Sequence, residues 1–323
     1  MNEFAVGATF ADHVIRGVAG RGGMGVVYRA LHVPLKREVA LKVLAAHIST
    51  DEEFRTRFRH EFEAAASIQH PNVIPIYHAG ERDGLLYVTM RYVDGTDLAR
   101  LIAVETRLDP IRAAVITGQV AAALDAASRA GFVHRDVKPA NVLIEAPGAS
   151  ERALLTDFGL TKFLHSDTQV TAAGTLIGTF DYSAPEQLNE QPVDARTDVY
   201  ALGCVLFQAL TGRVPFPRDS LAATLFAHLE SRPPSVTALV PEAPAALDAV
   251  VATALAKRPD DRYASAGDLA RAALEAVDRP SLARGVQRLS AGERAPGSAI
   301  PRGRGSGVSA KRQPGARSPA DRR

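Results

Sequence analysis

Apolar and polar positions first alternate regularly at Val39-Ala40-Leu41-Lys42-Val43-Leu44, where β-branched residues predict a strand. Period two puts Val39, Leu41 and Val43 on one face and Ala40, Lys42 and Leu44 on the other. A lysine on that second, apolar face is out of place. Either it blunts an edge strand, or it is buried and needs an anion. The next segment changes period. Thr50 and Glu53 stand at capping-box spacing, and Phe54, Phe58, Glu61, Ala65 and Ile68 then recur in steps of four and three. These form one helical stripe. Glu61 lies inside it, where an unpaired carboxylate is costly, so it either meets Lys42 or snorkels to water at the stripe's edge. Further on, Asp198–Phe207 is apolar on nearly every side, the pattern of a buried helix.

Composition narrows the class. A chain of 323 residues with 46% hydrophobic content can bury one large or two small cores. A single cysteine excludes an internal disulfide framework, and Cys204 falls in the buried helix, where it reads as a small hydrophobe. The nine histidines show no zinc spacing. No apolar run approaches 18 residues and Met1–Phe10 is unlike a signal peptide, so we expect no transmembrane span and a cytoplasmic location. The net charge of +2 hides an asymmetry: from Arg279 onward, eleven Lys and Arg face only Glu293 and Asp321. That segment lacks aromatics and is rich in Gly, Pro, Ser and Ala, so residues 278–323 are expected to form a basic, disordered tail. The tail is either simply solvated or makes weak, salt-sensitive contact with polyanions.

The candidate chemistry lies in two short runs. His134-Arg135-Asp136-Val137-Lys138-Pro139-Ala140-Asn141 is followed by Asp157-Phe158-Gly159. Asn141 and Asp157 stand five and twenty-one residues after Asp136 and supply hard oxygen atoms suited to Mg²⁺. Asp136 can orient a hydroxyl or accept its proton, and Lys138 can place a cation on a transferring phosphoryl group. Gly20-Arg21-Gly22-Gly23-Met24-Gly25-Val26-Val27 is a glycine-rich turn that leaves backbone N–H groups open to phosphate. Taken alone it is weak, since such a run also serves as a plain flexible loop.

In this order the runs resemble the glycine loop, catalytic loop and magnesium loop of protein kinases. Lys138, the Gly178-Thr179 step, Gly22–Gly25 and Pro185-Glu186-Gln187 look like the eukaryotic-like serine/threonine protein kinases of bacteria. The resemblance implies an ATP site formed by Ala19, Gly20, Arg21, Gly22, Gly23, Met24, Gly25, Val26 and Val27, with Ala40 and a Lys42–Glu61 pair. It makes Met90 the gatekeeper and brings the backbone of Tyr92 and Val93 to the adenine edge. It makes Asp136 and Lys138 catalytic and Asn141 and Asp157 the metal ligands. Thr179 would contact Asp136 at the substrate platform, Glu186 would pair with Arg262, and Thr171 would be the first activation-loop phosphosite, with Thr168 and Thr175 as alternates. Asp198 would tie its helix to the catalytic loop, unless it is only an N-cap after Thr197. Three positions depart from the pattern: Arg91 replaces a common acid, Phe180 a frequent proline and Ser183 a frequent methionine. Arg91 is expected to point away from the nucleotide.

The expected fold is therefore α+β and bilobal. A small antiparallel β lobe with one helix would span about 10–92, and a helical lobe about 93–277. The expected function is transfer of the ATP γ-phosphoryl group to Ser/Thr hydroxyls of proteins, with ATP and Mg²⁺ as cofactors. Protein substrates would be the partners, together with a second copy of the chain for phosphorylation in trans. Two other classes share parts of this pattern. A pseudokinase scaffold would lack a catalytic residue, and none is missing here. An aminoglycoside-type small-molecule kinase would share Asp136 and Asn141 without Lys138 or the Ala184-Pro185-Glu186 platform.

Overall fold

The computed structural model describes residues 3–46, 54–56, 58, 62, 65–148, 151–158 and 180–278. Its first half is a six-stranded sheet of β1 (Thr9–Phe10), β2 (His13–Gly22), β3 (Gly25–His32), β4 (Arg37–Leu44), β5 (Ile76–Arg82) and β6 (Leu85–Arg91). Spatial order is β1-β2-β3-β4-β6-β5, with every pair antiparallel. β4 pairs with β3 on one side and β6 on the other, so Lys42 does not protect an edge. The period-two reading of β4 holds. Val39, Leu41 and Val43 pack with Ile15, Tyr28 and Tyr87, while Ala40 and Leu44 pack with Phe58, Phe62, Val88 and Met90 on the opposite face. Helical residues between 54 and 66 cover that second face, with the Phe58 and Phe62 rings 4.5 Å apart. Phe62, outside the predicted stripe, is buried there alongside Phe58.

A second sheet, β7 (Gly95–Asp97), β8 (Val142–Glu145) and β9 (Arg152–Leu155), starts the helical half. Among the described residues eight α-helices follow or interleave with it: α1 (Leu98–Glu105), α2 (Pro110–Arg129), α3 (Pro185–Leu188), α4 (Ala195–Thr211), α5 (Leu221–Glu230), α6 (Val236–Leu239), α7 (Ala246–Ala254) and α8 (Ala266–Asp278). Asp97 caps α1 by accepting from Arg100 N–H, and Asp109 caps α2 with proline at its first position. α4 is the buried spine expected from its all-round apolar pattern, with every residue from Thr197 to Phe207 buried. It starts earlier than the apolar run suggests. Asp194 is the N-cap, accepting from Arg196 N–H, so Asp198 lies within the first turn and is not a cap. Cys204 is fully buried and free, and burial pushes its thiol well above the usual range, as fits an inert core residue. Among the described residues no helix is long and apolar enough to cross a membrane.

Candidate active site

The loop between α2 and β8 is held in a conformation it would not adopt unaided. Arg135 in this loop has φ of 67° and Asp157, just after β9, φ of 66°, left-handed values that are strained for most residues other than glycine. Asp198 supplies the restraint. Its two carboxylate oxygens accept from the N–H groups of His134 and Arg135, each at 2.8 Å. Burial pushes the Asp198 carboxyl above its ordinary value, although His134, the two N–H groups and Arg135 act against that shift. From the other side, Gln187 Nε2 donates to the Arg135 carbonyl at 2.9 Å, while its Oε1 accepts from Ala184 N–H at 3.0 Å. His134 Nδ1 accepts from Asp136 N–H at 3.3 Å, which leaves Nε2–H to donate to the Thr156 carbonyl at 2.9 Å. The imidazole also lies against Phe158, with ring centroids 4.6 Å apart. One buried ring thus registers the Asp136 loop on the Asp157 loop.

Within that frame the polar side chains converge. Lys138 Nζ donates to both Asp136 oxygens at 2.9 and 2.8 Å, and Asn141 Nδ2 donates to the Asp136 carbonyl and Oδ2 at 2.8 and 3.0 Å. The Asn141 amide is thereby oriented, with its nitrogen spent and its Oδ1 left as an acceptor. Lys42, only 7% exposed, meets Asp157 with Nζ 2.8 Å from Oδ1. Burial pushes the Asp157 carboxyl up, but the charge and hydrogen bond of Lys42 outweigh it and hold the group below its ordinary value. Asp157 is therefore an anion at neutral pH. A carboxylate and an oriented amide oxygen, both hard donors, fit a divalent cation that prefers oxygen. The anion demanded by a buried Lys42 is here Asp157; Glu61 lies outside the described residues.

The glycine-rich run is the β2–β3 hairpin, turning at Gly23-Met24. Its glycines serve different ends. Gly25 has φ of 144°, and a Cβ there would stand 2.1 Å from the Val43 carbonyl oxygen, so Gly25 lets β3 pass close to β4. A Cβ at Gly20 or Gly22 would meet nothing within 4 Å, so both glycines border open space. Ala40 and Met90 share an apolar cluster with Met24, Val27, Tyr92, Val93 and Leu143. Thr156 Oγ1 donates to Met90 Sδ at 3.8 Å, linking the expected gatekeeper to the residue before Asp157. Arg91 turns to Glu145 on β8, with which it forms an ion pair.

The segment after residue 180 is anchored from beneath. Glu186 and Arg262 form the expected pair, with Nη1–Oε1 at 2.7 Å and Nη2–Oε2 at 2.8 Å. Thr197 Oγ1 also donates to Glu186 Oε1 at 2.7 Å. Burial raises the Glu186 carboxyl, but Arg262 and then Thr197 hold it below the ordinary value. A depressed carboxyl stabilises the fold above its unfolded pKa and loses that contribution as pH falls through the folded one. Glu186→Gln should therefore flatten the loss of stability below about pH 4.3, the ordinary glutamate value. Urea midpoints measured from pH 7 to 3 test this, and a variant with the wild-type acid profile would exclude Glu186 as a contributor. Gly178, Thr179 and Thr171 lie outside the described residues, as does the tail at 279–323. The bridge from Gln187 to the Arg135 carbonyl and the clamp by His134 were not foreseen, though both residues belong to motifs visible in the chain.

A two-lobed fold with a glycine-rich β2–β3 hairpin, a buried lysine–aspartate pair and a loop in which Lys138 and Asn141 converge on Asp136 defines a class. The chain belongs to the protein kinase domain family, whose model matches residues 14–274. Members of that family use ATP and a divalent metal. Serine/threonine-protein kinase PknJ of Mycobacterium tuberculosis is 44% identical over 279 residues, 85% of this chain and 47% of that protein. PknH of the same species is 44% identical over 275 residues, 85% of this chain and 43% of that protein. The chain thus spans about half the length of the curated relatives it matches. Among solved structures, the Mycobacterium tuberculosis PknI kinase domain aligns with a TM-score of 0.69 at 35% identity, covering 85% of this chain and 100% of that one.

Proposed function

We propose that this chain is a serine/threonine protein kinase that moves the γ-phosphoryl group of ATP to Ser/Thr hydroxyls of proteins, its own activation segment included. The observation that carries the reading is the convergence of Lys138 and Asn141 on Asp136 beside the Lys42–Asp157 pair. Similarity to proteins named serine/threonine-protein kinases supports the choice of hydroxyl. Residues of about 10–277 form the kinase unit, divided near 92, and 278–323 a basic tail. The Ala19–Val27 hairpin covers the triphosphate, Lys42 holds the α- and β-phosphates with Glu61 behind it, and Ala40, Met90, Tyr92 and Val93 enclose the adenine. Asn141 and Asp157 hold Mg²⁺. When bound, the ion shields phosphate charge. Asp136 orients the acceptor hydroxyl and takes its proton, while Lys138 neutralises charge on the transferring group. The bond from hydroxyl oxygen to γ-phosphorus forms as the bond to the ADP oxygen breaks.

Thr179 contacts Asp136 at the platform, and Thr171 is the first activation-loop phosphosite, its phosphate meeting Arg135. Phosphorylation runs in trans between two copies. Incubating the protein with MgATP alone and mapping phosphosites by mass spectrometry tests this. Phosphate on Thr171 in the active protein and none in Asp136→Asn is the expected result. Absence of phosphate anywhere between Phe163 and Ile177 would remove the activation-loop assignment. Failure to phosphorylate both itself and a basic protein substrate would remove the kinase reading.

A further inference from the structure

The segment carrying Tyr92 and Val93 is tethered at both ends by a single residue of the helical half. Gly95 faces Glu145 in the β7–β8 ladder, and the Glu145 side chain reaches back to Arg91, the last residue of β6. Residues 91–95 are thereby closed into a ring through Glu145. At the Gly95 end the closure is tight, since a Cβ there would lie 2.1 Å from the Ile144 carbonyl oxygen. The second carboxylate oxygen of Glu145 accepts from Arg152 Nη2 at 2.8 Å, and Arg152 faces Glu145 in the β8–β9 ladder. Two guanidiniums, one on β6 of the first sheet and one on β9 of the second, thus hold one carboxylate. β8 begins directly after Asn141, and its Leu143 packs in the same apolar cluster as Tyr92 and Val93.

We propose that Arg91 and Glu145 are positioning residues for the nucleotide, their ion pair holding the backbone of Tyr92 and Val93 in register with the β8 strand that follows Asn141. The proposal rests on the reading of the cleft as the ATP site. Each residue of an untethered connection has two soft dihedrals, which a ligand must order at the expense of affinity. The ring sets that order beforehand. With side chains 28% and 25% exposed, the pair is screened less than one wholly in solvent. An acid at position 91 would face Glu145 with like charge, so arginine suits this chain's own β8.

The test is calorimetry of ADP with Mg²⁺ on the full chain, with KM measured separately for ATP and for a basic protein substrate. Arg91→Ala and Glu145→Gln should each raise the ADP Kd and the ATP KM about fivefold, or about 1 kcal/mol at 1.4 kcal/mol per tenfold. KM for the protein substrate should stay constant and kcat at saturating ATP should not fall, a split that a general loss of stability would not produce. Arg91→Lys should recover part of the affinity, and the double variant should bind no more weakly than either single one. Should Arg91→Ala fold poorly, the isosteric Glu145→Gln carries the test. ADP bound as tightly by both single variants as by wild type, or a double variant equal to the sum of the singles, would overturn the clamp. A wild-type chain that binds no ADP would overturn the kinase reading, and the clamp with it.

Discussion

Asp136→Asn is expected to lower turnover by about 10²- to 10⁴-fold, the range associated with one positioned acid–base group. ADP affinity and melting temperature should stay close to wild type. The backbone of residue 136 is placed by other groups: its N–H by His134 Nδ1 and its carbonyl by Asn141 Nδ2. What changes is the carboxylate that Lys138 grips through both oxygens. An amide presents one NH₂ to that ammonium, so Lys138 loses an acceptor just as the hydroxyl loses its base. Steady-state rates on a basic protein at saturating ATP, beside ADP calorimetry, check both halves. Turnover at the wild-type rate would remove Asp136 from the chemistry.

The largest expected loss of stability follows from Arg262→Ala, about 3–5 kcal/mol, because it strands a buried carboxylate. The Arg262 side chain is 0% exposed and Glu186 only 3%. Besides the two bonds to Glu186, the guanidinium donates to the carbonyls of Ala256, Arg196 and Lys257 at 2.8, 2.9 and 3.0 Å. All five N–H groups of the fork are engaged. Lysine, with one compact ammonium, cannot serve five acceptors in that plane, so Arg262→Lys should recover little. Removing both partners in Glu186→Ala/Arg262→Ala should cost less than Arg262→Ala alone, since no bare charge remains. Urea unfolding at pH 7 measures this, and a loss under 1 kcal/mol for Arg262→Ala would contradict it. Activity should suffer too, because the same turn carries Gln187, which braces Arg135.

Sequence alone showed most clearly what is encoded within a few residues. β4 was legible because both its faces are buried, which makes Lys42 conspicuous among apolar neighbours. Asp136, Lys138 and Asn141 share one turn of chain, so their meeting needed little tertiary information. The start of α4 was misplaced because the apolar run begins at Val199 while the capping side chain is Asp194. Glu145 was not legible at all. Its partner Arg91 stands out as a substitution, but only the β7–β8 register brings the two together across 54 positions. The reason for Gly25 was equally hidden: an approach to Val43 on β4 leaves no mark in the glycine run itself.

The left-handed turn at Arg135 also depends on residues made much later in the chain. Its restraint, Asp198, is encoded 63 residues later, and the Glu186 anchor waits another stretch for Arg262, 76 residues beyond it. A ribosome makes the glycine hairpin, Lys42 and Asp136 long before either restraint. Until then the growing polypeptide lacks both the Asp198 restraint and the Glu186–Arg262 anchor. Premature termination or proteolysis before Arg262 then leaves a fragment in which Glu186 has lost its guanidinium partner, and only chains finished through that point carry both restraints.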